Sequence, residues 1–137
     1  MIYLTRRERF SAAHRLYNEE WSDEKNKQTY GDCSNPNWHG HNYILWVTVK
    51  GDINPDIGYV CDLKTLGNII KKHVISKLDH KNINLEVDFM KNKKVSTENL
   101  AIGIWEELEP YIKMLGIDLH CIKIEETENN YIEYFGN

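Results

Sequence analysis

Polar and apolar positions alternate along residues 2–14, and that period of two predicts a strand ending near His14. Residues 18–29 are polar throughout and predict a short surface helix, followed by a loop carrying Cys33 and Pro36. From 38 to 50 the alternation returns. It puts His39, His41, Tyr43, Leu45, Val47 and Val49 on one face of a long strand. Turn residues fill 51–58, and Tyr59–Asp62 reads as a returning hairpin partner. The pattern then changes to a helical period. Asp62 is placed to cap a helix through about residue 77, with Leu63, Leu66, Ile69, Ile70 and Val74 on one face. A second helix is predicted from about Thr97 to 113, its stripe formed by Leu100, Ile104, Leu108 and Tyr111. Ser96 or Thr97 caps it, and Glu98 sits well against the N-terminal dipole. Two closing strands, 119–126 and 131–135, flank a turn at 128–130. The order β–β–β–α–α–β–β predicts one α+β domain over 1–137, with two main helices on one face of an antiparallel sheet.

Composition narrows the function classes. Seventeen basic and 21 acidic residues give a net charge of -4, which argues against a nucleic-acid or membrane-surface role. The lysine cluster at 91–94 reads as a solvated turn. No apolar stretch approaches the ~20 residues of a membrane span. The N-terminal residues alternate and then become charged, unlike a signal peptide, so a cytoplasmic location is expected. Three cysteines without a secretion signal make a disulfide framework an unsuitable reading. Cys61 and Cys121 lie in apolar runs and read as small buried hydrophobes. Cys33 lies in a polar, turn-rich segment that gives a thiol no packing role.

Chemistry concentrates at Cys33-Ser-Asn-Pro-Asn-Trp-His39-Gly-His41-Asn-Tyr43. His39 and His41 leave one face of a strand, and Gly40 between them lets a backbone or ligand approach. With His14 upstream they supply three nitrogen ligands for a catalytic zinc with an open fourth position. Cys33 is then either a fourth ligand or the reactive group, and these residues alone leave both open. Asp79-His80 can form an oriented acid/base unit, although capping and turn formation explain the pair equally well. Glu126 falls in the closing hairpin, where turn chemistry is the simpler reading. His73 and His120 read as structural or surface histidines.

Five segments in this order resemble the 6-pyruvoyl-tetrahydropterin synthases and the related queuosine-pathway 6-carboxy-tetrahydropterin synthases. They are Phe10-Ser-Ala-Ala-His-Arg-Leu16, the run from Cys33 to Tyr43, Leu78-Asp-His-Lys-Asn82, Val95-Ser-Thr-Glu-Asn99 and Glu125-Glu-Thr-Glu-Asn-Asn130. The resemblance implies a tunnelling fold, in which subunit sheets join into a trimeric barrel and two trimers stack as a hexamer with sites between subunits. It implies zinc on His14, His39 and His41, with Cys33 as general base and Asp79 with His80 as the second acid/base element. Glu126 would hold the pterin ring, and Ser96, Thr97 and Glu98 would contribute to its pocket. The implied substrate is 7,8-dihydroneopterin triphosphate, converted to 6-pyruvoyl-tetrahydropterin with loss of triphosphate. Five residues separate Cys33 from His39, the spacing of the pyruvoyl-forming branch. Many carboxy-forming enzymes have a shorter one. Family members that cleave the side chain carry glutamate where Cys33 stands. Trp38 departs from the glycine common in animal enzymes. Two alternatives stand beside this reading: the carboxy-forming reaction on the same substrate, and a non-catalytic protein whose structural zinc is closed by Cys33 and the three histidines. No glycine loop that would cradle the triphosphate is visible.

Overall fold

A computed structural model describes residues 1–137. In chain order the elements are β1 (Ile2–His14), α1 (Asp23–Tyr30), β2 (His39–Gly51), α2 (Leu63–Ile70), α3 (Ser76–Leu78), β3 (Lys81–Asn82), α4 (Ile83–Glu86), α5 (Thr97–Lys113), β4 (Asp118–Thr127) and β5 (Asn130–Tyr134). The five strands form one sheet in the order β3-β1-β2-β4-β5. β1 and β2 pair antiparallel along their whole length, from Ile2 opposite Gly51 to His14 opposite His39.

One face of the sheet carries the core. Phe10, Tyr43, Leu45, Val47, Ile122 and Ile124 pack against Leu66, Ile70 and Val74 from the first helical run and Leu100, Ile104, Leu108 and Ile112 from α5. Fully burying one such side chain stabilises the fold by about 1.5–3 kcal/mol. The periodic positions therefore decide which face of each element turns inward. Both predicted caps form: Asp62 accepts from the Lys64 N–H at 3.0 Å, and Ser96 accepts from the Asn99 N–H at 3.1 Å. The α+β architecture, with helices on an antiparallel sheet, matches the expectation.

Four details differ. Tyr59–Asp62 is not a strand, because β2 already has β1 on one side and β4 on the other. Cys61 is buried there instead, and Cys121 is buried in β4. The first helix contains a π-helical turn at Lys71–Ile75, which joins α2 to α3. Leu63 is exposed in its first turn, and Tyr111 lies at the rim of α5 because Ile112 takes the inward place. Tyr111 stacks there on the His73 ring, centroids 3.7 Å apart, which gives that histidine the structural role expected. Finally, β3 is only two residues long and pairs parallel with β1 at Ala12 and Ala13, too short to leave a periodic signature. No helix is long and apolar enough to cross a membrane.

Candidate active site

The β1–β2 pair that builds the core also gathers the histidines. Residues directly opposite in an antiparallel pair share a face. His14 stands opposite His39, and His41 stands opposite Ala12, whose methyl group leaves room for the ring. The ring centroids are 4.4 Å apart for His14–His39, 5.2 Å for His14–His41 and 5.0 Å for His39–His41. One nitrogen from each ring lies within 4.8 Å of the others. The donor group consists of these three imidazoles, and the Cys33 thiol is not part of it.

The state of each ring suits a metal. His14 Nδ1 lies 2.8 Å from the Val95 carbonyl oxygen. A carbonyl only accepts, so Nδ1 carries the hydrogen and Nε2 turns its lone pair toward the other rings. Nε2 of His14, both ring nitrogens of His39 and Nε2 of His41 are buried without a hydrogen-bond partner in the chain. Such atoms cost about 1–3 kcal/mol each when left unsatisfied. Burial lowers the pKa of His14, with the Val95 bond opposing and the neighbouring histidines adding to the effect. His39 is lowered by burial and then by His41. Both are held neutral, the form that ligates.

Cys33 sits half-buried in the 3-10 turn Gly31–Ser34. Two bonds tie this turn to the residues just past His14. The Leu16 N–H donates to the Cys33 carbonyl at 2.8 Å, and Arg15 Nε donates to the Ser34 carbonyl at 2.8 Å. Burial, then the Glu126 and Asp32 carboxylates, push the thiol above its ordinary range. Trp38, between this turn and His39, has a φ of 68°. That left-handed conformation costs a side-chain-bearing residue about 1–2 kcal/mol and a glycine almost nothing. A glycine there would fit that backbone without this cost. Gly40 has no such need: a Cβ there would meet only the Ala12 carbonyl oxygen, at 3.5 Å.

Glu126 reaches the same place from β4. The ladder to β5 slips between Glu125 and Thr127, so Glu126 is the extra residue of a β-bulge. Bulges re-aim a side chain, and this one sends the carboxylate toward the histidines. Oε1 lies 3.4 Å from His41 Nε2, and Oε2 accepts a short hydrogen bond from Thr97 Oγ1 at the start of α5. The hydroxyl of Ser96 is committed to the helix cap, and Glu98 is exposed. Of these three neighbours, Thr97 makes the side-chain contact with Glu126.

Asp79 and His80 are in side-chain contact. Asp79 Oδ1 accepts from the Ser11 N–H at 2.9 Å, and Oδ2 lies 3.0 Å from His80 Nδ1. These partners hold the Asp79 carboxyl below the usual range, the Ser11 N–H contributing most. The His80 N–H donates to the Ser11 carbonyl at 2.7 Å, and its backbone also takes a positive φ of 62°. A surface cavity of about 450 Å³ is lined by Ser11, Gly40, His41, Asn42 and His80, so His80 and one candidate ligand border a common space. The His80 side chain is 84% exposed. Sequence reasoning had no role for the Val95 carbonyl, a backbone atom that leaves no mark on residue identity. It placed Tyr43 on the histidine face as a strand residue only.

The model of the family described as "6-pyruvoyl tetrahydropterin synthase" matches residues 3–137. The chain belongs to that family. A 6-pyruvoyl tetrahydrobiopterin synthase of Dictyostelium discoideum is 47% identical over 135 residues, covering 98% of this chain and 96% of that protein. The solved structure of Caenorhabditis elegans 6-pyruvoyl tetrahydropterin synthase superimposes with a TM-score of 0.92 at 38% identity, covering 99% and 96% of the two chains. A 6-carboxy-5,6,7,8-tetrahydropterin synthase of Rickettsia typhi is 28% identical, covering 97% of this chain and 99% of its own. The chain is thus a lyase-family enzyme with a histidine group able to hold a metal.

Proposed function

We propose that this chain is a zinc-dependent carbon–oxygen lyase converting 7,8-dihydroneopterin triphosphate to 6-pyruvoyl-tetrahydropterin and triphosphate. The observation that carries this reading is the group of three imidazoles with free buried nitrogens, with Glu126 set against His41, in a chain of this family. Three imidazoles without a thiol match the donor set of a catalytic zinc that keeps a fourth position open. That composition supports the catalytic reading over a structural zinc closed by Cys33.

His14, His39 and His41 would hold the metal, with His14 locked in its tautomer by Val95. Bound there, zinc supplies Lewis acidity toward the side-chain hydroxyls of the substrate. Cys33 takes a carbon-bound proton. Burial and two carboxylates keep its thiol protonated in the free chain, so it works as a base only opposite a positive charge. His80, oriented through Nδ1 by Asp79, delivers or removes the second proton. Glu126 accepts from the guanidine-like edge of the pterin while Thr97 steadies one of its oxygens. Ser96 and Glu98 take part through the first turn of α5. The substrate's own hydrogens are redistributed, and triphosphate leaves.

The same reading makes the working enzyme a cytoplasmic homo-oligomer, trimer or hexamer, with sites between subunits. The exposure of His80 in the single chain and the free edges at β3 and β5 support a neighbour there. The carboxy-forming reaction uses the same residues, and the 47% relative favours the pyruvoyl product over it. Incubating the zinc-loaded protein with dihydroneopterin triphosphate and identifying the released pterin decides between them. We expect 6-pyruvoyl-tetrahydropterin; 6-carboxy-tetrahydropterin would transfer the chain to the other branch. Cys33→Ala is expected to keep the metal and lose triphosphate release by about 10²-fold or more. Unchanged turnover would remove Cys33 from the mechanism.

A further inference from the structure

Tyr43 is 1% exposed, on the same face of β2 as His39 and His41. Its ring stacks on Phe10 with centroids 4.8 Å apart and a 14° interplanar angle. The edges of His41 and His14 lie against it at 5.5 and 6.1 Å. Phenylalanine would serve that packing equally well. The hydroxyl is what needs a reason: it is buried and finds no hydrogen-bond partner in the chain. The contacts with His41 and His14 put Tyr43 beside two of the three imidazoles of the candidate metal group. Buried tyrosine hydroxyls almost always find a partner. One without a partner inside the chain leaves that place to a molecule entering the site.

We infer that the Tyr43 hydroxyl is a further catalytic group, which donates a hydrogen bond to a side-chain oxygen of the bound pterin substrate. This rests on the proposed reaction and adds a residue to it. Tyrosine is neutral at physiological pH, so it donates where Cys33 and Glu126 take protons or accept bonds. A donor already fixed by ring packing needs no rearrangement as negative charge grows on that oxygen. The ring stack with Phe10 supplies the fixing. The Cys33 thiol is not its partner, since no hydrogen bond joins them.

The test is Tyr43→Phe, read in three ways on the full-length protein. The metal-free variant is expected to melt at or above the wild-type temperature, because it loses a buried hydroxyl that had no partner. With dihydroneopterin triphosphate, kcat is expected to fall about 10- to 100-fold. The alkylation rate of Cys33 by iodoacetamide should stay the same. A clearly lower melting temperature or a failure to fold would show a structural partner and overturn the inference. A changed alkylation rate would give the hydroxyl to the thiol, and an unchanged kcat in a variant of an active wild type would also overturn it. If the wild type itself is inactive on this substrate, the proposed reaction fails instead, and the two failures are told apart by that control.

Discussion

β1 and β2 run through two regions of opposite character without a break in register. At one end the inward positions are Leu45, Val47 and Val49, each fully buried among aliphatic neighbours. At the other, the same inward positions are Tyr43, His41 and His39, and their buried polar atoms lack partners. One alternation serves packing first and gathers a group able to hold a metal second. The lesson is that the site is an extension of the core face: the strands that hold Leu45 rigid also hold His41 rigid, and the site inherits that stiffness. The difference in polarity marks where the face stops contributing stability and begins to cost it.

The comparison can be broken from either end. Leu45→Ala should have the largest effect on folding, about 2–5 kcal/mol, read as a lower urea midpoint. The folded fraction should still bind zinc with wild-type stoichiometry; a lost metal would show that the two ends are not separable. His39→Ala should do the reverse, abolishing metal retention while the metal-free melting temperature stays unchanged or rises. Glu126→Gln sharpens the boundary further. It is expected to raise KM about tenfold, in line with a hydrogen bond to a charged group of about 1.5 kcal/mol, with little change in stability. An equal loss of stability would assign Glu126 to the bulge alone. The smallest effect belongs to Asp79, which contacts His80. Its folded-state carboxyl lies below the ordinary value. Its contribution is therefore present above the unfolded pKa of about 3.9 and lost as pH falls through the lower folded one. Urea midpoints at pH 7 and pH 3 should therefore differ more in wild type than in Asp79→Asn.

Much of this was readable in the residues because both regions depend on a period of two. His39, His41 and Tyr43 fell on one face from alternation alone, and the caps Asp62 and Ser96 followed from residue type. What escaped depends on atoms or contacts without a local signature. The Val95 carbonyl is backbone. The bulge at Glu126 is a slip between two strands, visible only once both are paired. The failed strand at Tyr59–Asp62 had the right composition but no free edge of β2 to join. Trp38 stands out in the sequence only as a departure from glycine, and its peculiarity is the φ of 68° beneath it.

All three imidazoles belong to the β1–β2 pair, whereas the carbonyl that fixes His14 lies 81 residues away in sequence. In kinetic terms, one antiparallel pairing is expected to gather the imidazoles early, before the longer closure that docks α5 and β4. Zinc present during refolding is therefore expected to steepen the advantage of that first pairing and to speed the refolding arm of a chevron plot. If zinc slows only the unfolding arm, the imidazoles come together after the rate-limiting step. The His14–His39 pair would then be a late ornament of the fold; in the expected case it is a template on which the rest of the chain assembles.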